Sequence, residues 1–155
     1  MSTAIDPFVA ALERTLRVLA GTVMTRGAVE SCESATITAD VSAQITVRGD
    51  EKFLLVLTAT EAAAHELVRS VAGIETSLED GLTADTLGEV LNVVVGSAQK
   101  GGGPQQKFQF SIPVIETARG HTLTVFGKRS YQRVVSKTPM GELSLYLIED
   151  VMAST

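Results

Sequence analysis

Apolar residues recur at two different spacings along this chain, and the change of spacing marks its elements. From residue 6 to residue 21 the spacing is helical. Asp6 is the expected N-cap and Pro7 the first helical residue. Phe8, Leu12, Thr15, Leu16 and Leu19 share one face, and Gly21 supplies the stop. The pattern then turns β-like. Thr22 to Arg26 predicts a short strand broken at Gly27. Ser34 to Val47, with Thr36, Thr38, Val41, Ile45 and Val47, predicts one or two more. After a turn at Gly49-Asp50, the unbroken apolar run Phe53 to Leu57 predicts a strand buried on both faces, paired with its predecessor as a hairpin.

A second helical stretch opens with Thr58 and Glu61 at capping-box spacing, carries Ala62, Ala63, Leu67, Val68 and Val71 as its stripe, and closes at Gly73. An acidic connection, with Glu75, Glu79 and Asp80, leads to Thr83, a candidate cap for the next helix. Gly101-Gly102-Gly103-Pro104 ends that helix. Beyond it, Phe108 to Ile115 alternates as a strand, with Pro113 marking an edge or an end. Arg119-Gly120-His121 reads as a turn, and Leu123, Val125 and Phe126 start another short strand. Tyr131 to Lys137 and Glu142 to Ile148 form a hairpin across Thr138-Pro139-Met140-Gly141, and residues from Glu149 read as a polar tail. Helix, strands, two helices, strands is the order of an α+β domain with a mainly antiparallel sheet.

The helix from Asp85 to Gly96 has two faces. At about 100° per residue, Leu87, Val90, Leu91, Val94 and Ala98 fall on one side. Asp85, Glu89, Asn92 and Gly96 fall on the other, so a carboxylate and a carboxamide point the same way one turn apart. Gly88 and Gly96 each cost a helix interior roughly 1 kcal/mol against alanine. A solvated face needs no glycine, whereas a face that another backbone approaches closely does. The competing reading is a solvated polar face with two incidental glycines. The first helix holds Glu13 and Leu16 at the same spacing as Glu89 and Asn92, so a related first half would lack its asparagine.

Composition narrows the function. The 155 residues, 45% of them hydrophobic, make one domain, residues 1–155, with a real core. The net charge of −5 and the lack of a Lys/Arg cluster argue against nucleic acid or an anionic membrane as partner. No apolar run approaches the roughly 18 residues of a membrane span. The segment Met1 to Asp6 has no basic region of a secretory signal. Cys32, the single cysteine, can form no internal disulfide, which fits a reducing cytoplasm. His65 and His121 lack ligand spacing, so no metal site is assigned. Cys32 has no evident histidine partner and reads as inert. No Gly-x-Ser-x-Gly appears. The triglycine loop lies after a helix rather than between strand and helix, the wrong context for a phosphate cradle.

The segment Leu87 to Gly96 resembles the CheC/CheX/FliY family of chemotaxis phosphatases. That family's motif is Asp or Ser, three residues, Glu, two residues, Asn, then a Pro roughly two dozen residues on. Asp85, Glu89 and Asn92 match it, and Pro113 follows after a slightly shorter gap, the missing residues falling at the triglycine loop. Asp40-Val41-Ser42 and Thr60-Glu61-Ala62-Ala63 also look CheX-like, and a single motif points to the CheX branch. The resemblance implies a CheC/CheX-like α+β fold, its sheet covered by about three helices. It implies an enzyme of the cytoplasm that dephosphorylates the aspartyl phosphate of a CheY-like response regulator, and a homodimer through sheet edges. Asn92 would orient the attacking water and Glu89 would pair with the regulator's lysine. Asp85, Gly88 and Gly96 would serve docking. No cofactor is expected in this chain, the Mg2+ being the regulator's. The reading from a different class is a catalytically weak adaptor or flagellar-switch-like module with the same fold.

Overall fold

A computed structural model describes residues 4–49, 52–78, 80–101, 109–125 and 130–149. In chain order the elements are α1 (Asp6–Ala20), β1 (Thr25–Cys32), β2 (Thr36–Arg48), β3 (Lys52–Ala59), α2 (Glu61–Ala72), α3 (Gly81–Gly101), β4 (Gln109–Phe110), β5 (Val114–Thr124), β6 (Tyr131–Thr138) and β7 (Gly141–Glu149). The architecture is α+β, with an open seven-stranded sheet, every pairing of which is antiparallel. Strands run in the order β1-β6-β7-β3-β2-β4, and β5 also pairs with β2.

All three helices share the core on the inner face of the sheet. Leu12 and Leu16 of α1, Leu67 of α2 and Leu91 of α3 pack with Val41, Ile45, Leu55, Leu57 and Leu145. The apolar run in β3 is explained by burial on both faces. Leu55 and Leu57 face the helices, and Val56 faces a second cluster on the outer side with Ile37, Val125, Tyr131 and Tyr146.

That second cluster exists because β2 bends. Its register with β5 shifts between Ala39 and Val41, where β5 carries extra residues around Gly120, which adopts φ 67°. The ends of the β2–β5 ribbon thereby fold across the outer face and bring Ile37 and Leu123 onto Val56, Tyr131 and Tyr146. The expected turn at Arg119-Gly120-His121 is therefore a bulge inside one long strand.

Five further expectations are corrected. Gly27 does not break β1. It lies within the strand, where its bare Cα lies against the Val135 carbonyl with no room for a side chain. Asp6 does not cap α1; the N-cap is Ile5, and Asp6 instead accepts a hydrogen bond from Arg26 at 2.7 Å. The cap of α2 is Thr60 rather than Thr58, its side chain accepting from the Ala63 N–H at 3.2 Å. In α2, Ala62 and Val71 are exposed, and Ala64 takes a buried place instead. The expected strand Phe108 to Ile115 is interrupted: only Gln109–Phe110 and the residues from Val114 pair, and Phe108 lies outside the described residues. The triglycine loop beyond Gly101, Phe126 and the tail beyond Glu149 lie outside them too. Among the described residues no helix is long and apolar enough to cross a membrane.

Candidate functional site

The site is built on α3. Its start is fixed by two short-range bonds: Asp80 Oδ1 accepts the Leu82 N–H at 2.9 Å, and Thr83 Oγ1 donates to the Ser77 carbonyl at 3.0 Å. Thr83 thus lies inside the first turn, buried, and is not the cap that its position in the sequence suggested. Leu87, Val90, Leu91 and Val94 are at most 1% exposed, and Val95 joins them in the core. This buried arc leaves one strip of the helix open. Asp85, Glu89 and Asn92 are all exposed on it, one turn apart.

Two neighbours border the strip. On one flank is the start of β5. A Cβ at Gly88 would stand 2.9 Å from Ile115 Cδ1 and 3.6 Å from Pro113 Cβ. The close approach that Gly88 serves is therefore internal to this chain. Gly88 is buried, so its expected place among partner-facing residues is set aside. The same contact gives the motif's proline a physical role, because Pro113 packs against the motif helix one turn before Asn92. On the other flank is α1, from which Arg14 Nη2 donates to Ser97 Oγ at 3.2 Å. At about 100° per residue Asn92 lies beside the β5 flank and Glu89 leans toward α1.

Gly96 differs from Gly88. Among the described residues nothing lies within 4 Å of the place where its side chain would stand, so none of them requires a glycine there. The first helix offers no second copy of the site, because Leu16, at the position matching Asn92, is fully buried.

The chemistry that Asp85, Glu89 and Asn92 offer on this strip is open to solvent: two carboxylates and one carboxamide, which accepts from and donates to water without a change of charge. Among the described residues no group of three or more His, Cys, Asp and Glu could hold a metal ion.

A second polar constellation was not legible as a unit in the sequence. Asp40 Oδ2 accepts the Glu61 N–H at 2.9 Å, and its Oδ1 accepts the Gly120 N–H at 3.0 Å. These two backbone donors, Glu61 first, hold the Asp40 carboxyl below its ordinary pKa. Glu61 in turn receives a bidentate pair from Arg119, at 2.5 and 2.6 Å, which lowers its own pKa. His121 Nδ1 donates to the Ala118 carbonyl at 2.6 Å, and its Nε2 is hydrogen-bonded to the buried Ser42 hydroxyl at 2.8 Å. The sequence signal was the pair of segments Asp40-Val41-Ser42 and Thr60-Glu61. Their meeting, which latches the bent ribbon to the start of α2, depends on the fold.

Comparison with known proteins completes the picture. The family model described as chemotaxis phosphatase CheX matches residues 41–136. No curated protein matches the chain. Among solved structures, a chemotaxis protein CheX from Desulfovibrio desulfuricans is 26% identical with a TM-score of 0.85, over 94% of this chain and 98% of that one. CheX from Vibrio vulnificus is 21% identical with a TM-score of 0.83, over 94% and 98%. CheX in a CheX–CheY–BeF3–Mg2+ complex from Borrelia burgdorferi is 16% identical with a TM-score of 0.71, over 95% and 97%.

Proposed function

Because the chain belongs to the chemotaxis phosphatase CheX family, we propose that it hydrolyses the aspartyl phosphate of a CheY-like response regulator, with the open face of α3 as its working surface. The single observation that carries the reading is the exposure of Glu89 and Asn92 on one strip of a helix whose opposite side is fixed in the core. The solved complex of a CheX relative with CheY supports the choice of partner.

Hydrolysis of an acyl phosphate needs an in-line water and stabilised charge, and positioning supplies most of the rate. The metal ion and the lysine at the phosphate would be the regulator's own. A carboxylate approaching that phosphate would be repelled, whereas a carboxamide is not. Asn92 therefore orients the water. Glu89, one turn back, pairs with the regulator's lysine and anchors the helix. Asp85 extends the docking strip by a further turn, and the space at Gly96 admits the partner's backbone. A homodimer through sheet edges belongs to the same proposal. The sheet ends at β1 on one side and at β4 and β5 on the other, and at the start of β5 Ile112 and Val114 are 85% and 64% exposed. Sedimentation of the purified chain tests that part.

The test of the mechanism is phosphate release from a phosphorylated CheY-like protein. Asn92→Ala is expected to lose turnover while binding holds, so kcat falls and KM barely moves. Near-full activity of Asn92→Ala overturns the mechanism and leaves the adaptor reading.

A further inference from the structure

The outer face of the sheet, opposite α3, carries a concavity of about 280 Å³ between the folded-over β2–β5 ribbon and strands β3, β6 and β7. That volume is near the small end of ligand sites. Strand register sorts its lining by charge. Arg133 stands opposite Tyr146, and Ser144 stands between Val135 and Thr58. Glu142 lies four residues before Tyr146 on β7, roughly 13 Å along the strand. Asp40, on the ribbon, is tied to the Glu61 N–H at the end of β3, where Ala59 pairs with Leu143 beside Glu142. The pocket thus has a guanidinium end, a hydroxyl middle of Thr58 and Ser144, and a carboxylate end.

The guanidinium end holds an unused donor. Arg133 Nη2 donates to Glu30 at 3.0 Å, but Arg133 Nε is buried and has no hydrogen-bond partner among the described residues. Buried donors without acceptors are uncommon and call for an explanation. An acceptor entering the pocket supplies one. A simple anion would meet Asp40 and Glu142, and a simple cation would leave the Arg133 donor unused.

We propose that this pocket binds a small zwitterion of amino-acid to dipeptide size, with its carboxylate on Arg133 and its ammonium group toward Asp40 and Glu142. The ligand would bridge the ribbon and the sheet, away from the phosphatase face, so the inference stands independently of the proposed hydrolysis.

The test is an NMR titration of the full 15N-labelled chain with three probes: glycylglycine, glycylglycinamide, which lacks the carboxylate, and N-acetylglycylglycine, which lacks the ammonium group. Glycylglycine is expected to shift the amide signals of Thr38, Thr58, Arg133 and Ser144 saturably and to leave those of Glu89 and Asn92 in place. Each capped probe is expected to bind at least about tenfold more weakly. Arg133→Met should abolish the preference for the free carboxylate. Glu142→Gln, an exposed change that leaves the fold intact, should weaken glycylglycine binding without altering that of the N-acetyl probe. Equal binding of all three probes, or no saturable shift up to tens of millimolar, overturns the proposal.

Discussion

Leu91→Ala tests which way α3 faces, and with it the site. Leu91 is 0% exposed and packs among residues of the sheet and of α1 and α2, so its surroundings cannot collapse without moving several elements. Truncation then removes transfer free energy and leaves a cavity, together about 2–5 kcal/mol. For a chain of this size each kcal/mol is worth roughly 2–4 °C, so the melting temperature should fall by about 5–20 °C. Val93→Ala is the control. Val93 is half-buried, so losing its two methyl groups costs about 0.8 kcal/mol, and alanine's better helix propensity returns about 0.5 kcal/mol. Urea unfolding followed by circular dichroism reads both variants, with unchanged m-values showing that the same transition is measured. Equal losses at the two positions would mean that the helix is rotated, and Glu89 and Asn92 would then not share an open strip.

The remaining predictions concern catalysis, acid stability and the edge strand. Asn92→Asp should fail to restore phosphate release, because it keeps the shape but sets a negative charge against the phosphate, whereas Glu89→Ala should raise KM and lower kcat together; an active Asn92→Asp would refute the charge argument. Asp40 and Glu61 sit below their ordinary pKa values of 3.8 and 4.5, so the stability they contribute is complete above those values and is lost as pH falls through the lower folded-state ones. Asp40→Asn should therefore flatten the decline of the urea midpoint below about pH 4, and an unchanged decline would show that the latch adds nothing. Gly27→Ala should cost about 1–3 kcal/mol, because the added methyl group meets the Val135 carbonyl and backbone cannot yield as a side-chain tip can. A wild-type melting curve for that variant would refute the close approach.

What the sequence determined by itself was local. The two faces of α3 follow from a 3.6-residue period that needs no partner to be read, and the exposure of Asp85, Glu89 and Asn92 follows from it. The closing glycines of α1 and α2, Gly21 and Gly73, were legible for the same reason: their left-handed φ angles of 63° and 75° are a property of the residue. The β6–β7 hairpin was fixed by its own turn residues. Tertiary structure decided whatever depends on contacts between segments distant in sequence. Gly27 looked like a strand breaker until β6 was placed beside it. Gly88 and Gly96 looked alike, and only the arrival of Pro113 and Ile115 on one side made the first an internal contact and left the second open. The fold of the β2–β5 ribbon across the outer face was invisible along the chain. It arises from a register shift between strands some eighty residues apart, and with it come the Asp40 latch and the pocket at Arg133.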